Sequence, residues 1–337
     1  MKCKVFSFAG LIVVLLVLAA CGPPTGAASS GSASGGGGAA ATGNVLTAVK
    51  TDAVSLDSAA AYWNDAPALT IPTKASEEGK ADGPDVSIQA AYDGANVALR
   101  LEWADTTESI INKPWQWDGA AFARTKDLGD RMGLVFPIEN NSTFASKGCA
   151  GMCHNTDADV DKWWMGSDSA DLRYDLWQWT AASTNPVGQL NDEWIGVQTD
   201  PTNAESATHP DESGGGSLSN TNEAKDGPRY MSNVEIGASL ILTGEQTEID
   251  TSKLTAGAII PASILAPWTG SRGDIQVKGV WNDNKWVLVV MRALETGNDD
   301  DVVLTPPKTY PLGVAVFDQA EHYAHTVAPD VITLEWK

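Results

Sequence analysis

The stretch DVSIQAAYDGANVALRLEW, Asp85 to Trp103, decides the fold class. Val86, Ile88 and Ala90 share one face of an extended segment, because successive strand side chains point to opposite sides. Asp93-Gly94 supplies a tight turn, and Val97, Leu99, Leu101 and Trp103 alternate on the return. DIQVKGVWNDNKWVLVVMRAL, Asp274 to Leu294, repeats the pattern with a turn at Asn282 to Lys285. DRMGLVFPI (130–138), PLGVAVFD (311–318) and DVITLEW (330–336) read as further strands, and long helical periodicity is nearly absent. The expected class is mainly β, an antiparallel β-sandwich of immunoglobulin or carbohydrate-binding-module type with loop insertions.

Two stretches break the alternation. Residues 139–196 carry cysteines and tryptophans without a clear period, and residues 199–227 are polar, rich in Gly and Ser, and read as a long surface loop. Insertions of this kind carry function when a rigid scaffold holds them. Thirteen tryptophans stand in 337 residues. Trp163, Trp164, Trp177, Trp179 and Trp194 surround the cysteine segment, as walls for a large flat cofactor or as plain core filling.

The N-terminus reads MKCKVFSFAGLIVVLLVLAACGPP. Lys2 and Lys4 precede a short apolar run, and Leu18-Ala19-Ala20-Cys21 resembles a bacterial lipobox. Residues 1–20 are therefore expected to be a lipoprotein signal peptide, with Cys21 the lipidated residue. Several acyl chains on one cysteine give stable anchoring. Residues 21–45 form a Gly/Ser/Ala tether without charge, with a reach of roughly 25–30 Å. Residues 46–337 are left as one folded domain, extracytoplasmic and membrane-anchored.

Formal net charge is −21. Such a surface excludes nucleic acid as a natural partner and suits a basic protein partner. No phosphate-binding loop, zinc-protease helix or serine elbow occurs, and with four histidines the chain has few possible catalytic bases. Catalysis by the protein alone is not expected.

Only Cys149 and Cys153 remain to the folded part, in SKGCAGMCHNT (146–156), with His154 directly after them. The spacing is C-x-x-x-C-H, one residue longer than the familiar covalent haem motif. Haem attachment needs two thiols for two vinyl groups and an imidazole beside the second thiol. An added residue bulges the loop without separating Cys153 from His154. A disulfide between the cysteines would close a very small loop and stabilise little. Zinc would lack an evident fourth ligand. All three readings remain open on spacing alone.

Segments along most of the folded length add a resemblance: YWNDAPALTIP (62–72), IQAAYDGANVALRLEWAD (88–105), DRMGLVFPI, MGSDSADLRYDLWQWTAA (165–182), GSRGDIQVKGVWNDNKWVLVVMRALETG (270–297) and GVAVFDQAEHYAH (313–325). In order and spacing the chain resembles the haem-binding subunit family typified by the gamma subunit of ethylbenzene dehydrogenase, with relatives in dimethylsulfide dehydrogenase and selenate reductase. The resemblance implies a β-sandwich whose insertions form a haem pocket, and a role in electron transfer. Cys149, Cys153 and His154 stand where some members carry a haem c motif. One covalent haem c is expected, with His154 as proximal iron ligand.

For the sixth position the resemblance points to Met165, in a segment similar to a ligand-bearing one. It also points to His325, which falls near a lysine ligand of other members. His325 ranks first because imidazole binds iron more strongly than thioether. Met165 follows, then His322, then Met231. The expected function is a membrane-tethered monohaem cytochrome exchanging electrons with a redox protein partner, a molybdenum-type oxidoreductase or a soluble cytochrome. The alternative is a carbohydrate- or ligand-binding lipoprotein with a Cys149–Cys153 disulfide. His209 reads as solvated; the acidic run Asn298 to Val303 has a composition that could bind calcium but reads as a solvated turn.

Overall fold

The computed structural model describes residues 44–200 and 202–337. The leader, Cys21 and most of the tether lie outside the described residues. Among the described residues no helix is long and apolar enough to cross a membrane.

Eleven strands carry the fold: β1 (Asn44–Lys50), β2 (Val86–Tyr92), β3 (Asn96–Ala104), β4 (Arg131–Pro137), β5 (Tyr174–Thr180), β6 (Asn191–Ile195), β7 (Thr208–Pro210), β8 (Gln276–Asn282), β9 (Lys285–Ala293), β10 (Tyr310–Phe317) and β11 (Ile332–Trp336). They lie in the order β7-β6-β5-β4-β10-β11-β1-β2-β3-β9-β8. The sheet curls until its halves face each other across one core, and Gln189 bridges Gln276 on β8 at the far side. Both hairpins form as read: Ala90 opposes Leu99 in the first, and Trp281 opposes Trp286 in the second. Asp283 and Asn284 take φ of 52° and 58° in the second turn, the left-handed region that Asp and Asn tolerate.

The pairing is antiparallel except at β1, which runs parallel to both β11 and β2. Asn44 and Val45 already pair with Ile332 and Thr333, so the folded domain begins inside the stretch assigned to the tether. Burial of Leu46 and Ala48 fixes that strand.

Strict alternation sorts side chains between two faces. On β4, Met132, Leu134 and Phe136 enter the core, as do Trp177 and Trp179 on β5 and Leu312 and Val314 on β10. Gly133, Val135, Leu176, Gln178, Ala315 and Phe317 face the other way. Loop insertions cover that outer face and enclose a cleft. Trp177 and Trp179 thus fill core, whereas Trp163 and Trp164 line the cleft. Trp194 stacks on His209 with centroids 4.1 Å apart. His209 is therefore packed on a ring, where the sequence suggested a solvated residue. The polar segment 199–227 is likewise partly built in, since Ala207 and Asn220 have no exposure.

Candidate functional site

Asn141 caps the short helix α1 (Ser142–Lys147), its side chain accepting from the Phe144 N–H at 3.0 Å. Gly148 ends the helix at φ 57° and lets the chain turn sharply onto β10. This delivers Cys149 onto Gly313, where an added Cβ would lie 2.1 Å from the Cys149 Sγ, so only glycine fits. Cys149 is buried, and burial pushes its thiol up to about 12. Cys153 is raised by the same cause, and its Sγ donates to the Cys149 carbonyl at 3.4 Å. The cysteines are separate thiols, with no disulfide between them.

Cys153–His154 pairs antiparallel with Trp164–Met165, placing Met165 opposite Cys153 and Trp164 opposite His154. Cys149, Cys153, Trp164 and Met165 line a cleft of about 300 Å³ together with His322 and His325 from the segment after β10. The volume is at the lower end of small-molecule sites, so a large flat group would occupy the cleft only in part. The floor is the outer face of β4, β5 and β10. Gly133 leaves it flat: a Cβ there would meet nothing nearer than Leu176 Cδ1 at 3.8 Å.

His154 does not line this cleft. Its ring stacks on Trp164 at 3.7 Å and 3°, and its Nε2 lies 3.6 Å from the exposed Asp168 carboxylate. His154, the expected proximal iron ligand, thus stands outside the lining that the two thiols share. Cys153 and Asn155 line the cleft while His154 between them does not, the alternation of an extended segment. Met231 is also elsewhere, packed with Trp115 and Ile260 in a separate cluster.

His325 faces the cleft with a defined donor atom. Its Nδ1 lies 2.5 Å from the His322 carbonyl. A carbonyl only accepts, so Nδ1 carries the proton and Nε2 keeps the lone pair. Burial first, then the Arg131 cation, pushes the His325 pKa down and favours the neutral ring. The ring stacks on Phe317 at 4.7 Å, with the Arg131 guanidinium 4.4 Å above the same phenyl. His322 Nε2 is buried without a hydrogen-bond partner. The cleft therefore joins a flat floor, an aromatic wall, two thiols, a thioether, imidazole nitrogens and one guanidinium. This set offers sulfur and nitrogen donors and one cation around a flat apolar floor.

A family model for ethylbenzene dehydrogenase matches residues 60–327. No curated protein matches the chain. Among solved structures, a carbohydrate binding module of family 9 from Caldicellulosiruptor kristjanssonii in complex with glucose is 7% identical, covering 87% of this chain and 95% of its own at a TM-score of 0.36. Its complex with cellotriose gives 8% identity, 87% and 94% coverage, and a TM-score of 0.34. A protein of Bacteroides uniformis described as carbohydrate-binding gives 10% identity, 88% and 100% coverage, and a TM-score of 0.38.

Proposed function

We propose, given that the chain belongs to the ethylbenzene dehydrogenase family, that it is a monohaem c electron carrier working with an oxidoreductase. The observation that carries this reading is the convergence of Cys149, Cys153, Met165 and His325 on one flat-floored cleft. Bound haem supplies a one-electron couple. Cys149 and Cys153 would hold it by adding each S–H across one vinyl double bond, with no atom lost. With Cys149 buried, Cys153 half-buried and both pKa values raised, the thiols are poor partners for disulfide exchange. Arg131 offers a cation to the acidic edge of the group.

His325 would supply one iron ligand through Nε2, its tautomer set by the His322 carbonyl. His154 would supply the other. To reach the iron it would have to leave its stack on Trp164 and its two-residue pairing with Trp164–Met165. Met165 then serves as packing beside the cofactor. Lipidation at Cys21 would place the carrier on an extracytoplasmic membrane surface, next to a redox partner of molybdenum type or a soluble cytochrome.

Protein matured in a host competent for cytochrome c assembly should show sharp reduced-state visible bands and keep haem mass after denaturation. Colourless protein from that host would sink the proposal and leave ligand binding by the sandwich as the better reading. His325→Ala should convert the low-spin spectrum to high-spin, while Met165→Ala should leave it low-spin. An unchanged spectrum in His325→Ala would remove that residue from the iron. Gly133→Leu should fold normally yet take up haem at least about 10-fold less well, because the added side chain enters the cleft. Quenching of tryptophan fluorescence by added haemin would measure this.

A further inference from the structure

The acidic run Asn298 to Val303 is not a solvated turn at Asp301, whose side chain has no exposure. Asp301 sits with Asp175 on β5 and Asp192 on β6, their carboxylate oxygens within 4.8 Å of one another. The same holds for Asp211, Asp300 and Asp301. Arg292 on β9 is the buried cation of the group, 3.1 Å from Asp175 and 3.5 Å from Asp301. One guanidinium cannot balance so many buried carboxylates, and a buried charge without compensation is strongly unfavourable.

Hydrogen bonding leaves the imbalance unanswered. Asp192 is fully buried, and neither of its oxygens has a partner. Oδ1 of Asp175, Asp211, Asp274 and Asp301 is unpartnered as well. Their other oxygens are engaged: Asp175 accepts the Val302 N–H at 2.9 Å, Asp211 the Ser271 hydroxyl at 3.2 Å, and Asp301 the Asn298 amide at 3.0 Å. These bonds fix the carboxylates with one free oxygen each. Burial, with the neighbouring carboxylates, raises Asp175 to about 7 and Asp211 to about 8, and holds Asp192 well above the usual carboxylate range. Without a cation these groups would have to hold protons in place of charge.

We propose that this cluster binds one calcium-type divalent cation, seated against Asp301 and taking the free oxygens of Asp192 and Asp211 among its ligands. An all-oxygen, carboxylate-rich set of irregular geometry suits calcium, which accepts six to eight oxygens. Magnesium demands a near-ideal octahedron and retains water, and softer metals would seek nitrogen or sulfur. An open polar cleft bordered by Glu212, Ser271, Asn298 and Asp300 gives the ion a route in. The ion would pin β5 and β6 from the core side. Leu176 and Glu193, which adjoin Asp175 and Asp192, line the other cleft, so the ion would stiffen that floor. The proposal is independent of the haem reading.

The full chain, stripped with EDTA and titrated with calcium chloride, should bind one equivalent by calorimetry. Its Tm should rise by roughly 5–10 °C at saturation, and magnesium at equal concentration should raise it less. Asp192→Asn should abolish both responses yet melt no lower than wild type in EDTA, because a neutral amide replaces a carboxyl group that, without a cation, must take up a proton to be buried. A merely structural Asp192 would give a lower melt. Asp300→Asn, at a half-exposed position that folding tolerates, should weaken calcium binding at least 10-fold and serves if Asp192→Asn fails to fold. Absence of heat and of any Tm shift in wild type would overturn the proposal, as would wild-type affinity in Asp300→Asn.

Discussion

A Cys149→Ala/Cys153→Ala double variant, matured like wild type, should lose all haem that survives denaturation. Intact mass under denaturing conditions reads this directly: the wild type should be heavier than the variant by one haem plus the two sulfur atoms removed. The fold should survive. Cys149 packs with Val135, Phe144 and Met152, and trimming it to alanine removes one sulfur, at a cost of about 1 kcal/mol. His154 and His325 remain, so the variant should take up haem reversibly and surrender it in denaturant. Cys153→Ala alone should keep one thioether and show a red-shifted reduced band, because one vinyl group stays conjugated. Covalent haem in the double variant would show that the C-x-x-x-C-H segment is not the attachment point.

Arg292→Met should lower stability by about 3–5 kcal/mol, the range for stripping one partner from a buried ion pair. The guanidinium donates to Asp175 at 3.1 Å and to the Val302 carbonyl at 3.0 Å, and lies 5.0 Å over the Trp177 ring. Methionine replaces the stem but not the charge, and leaves Asp175, Asp192 and Asp301 facing one another in the core. In EDTA the Tm should fall by roughly 6 °C or more. With calcium present the deficit should shrink, since the ion supplies positive charge to the same carboxylate cluster. A melt within about 2 °C of wild type in EDTA would mean that protons, rather than Arg292, neutralise the cluster.

The two hairpins were legible because each strand has one apolar and one polar face, which leaves a period of two in the sequence. β5 was not legible. Trp177 and Trp179 face the core while Tyr174, Leu176 and Gln178 face inserted loops, so burial on both sides erases the alternation. The candidate site was legible as chemistry but not as direction. Cys149, Cys153, Met165 and His325 line one cleft, a grouping that came from the resemblance and not from local spacing. The outward turn of His154 depends on its pairing with Trp164, which local spacing does not encode. Asp301 shows the converse failure. An acidic run resembles a solvated turn until strands from distant parts of the chain bring Asp175 and Asp192 against it.

β1 lies between two strands running in its own direction, β11 on one side and β2 on the other. A pull applied at residue 44 along the strand would load both ladders in shear, with many hydrogen bonds sharing the force at once. It could not unzip them one by one from an edge. A molecule tethered upstream of that residue would thus resist mechanical drag at its point of attachment, and strain on the leash would reach the curled sheet before it reached the loops around the cleft.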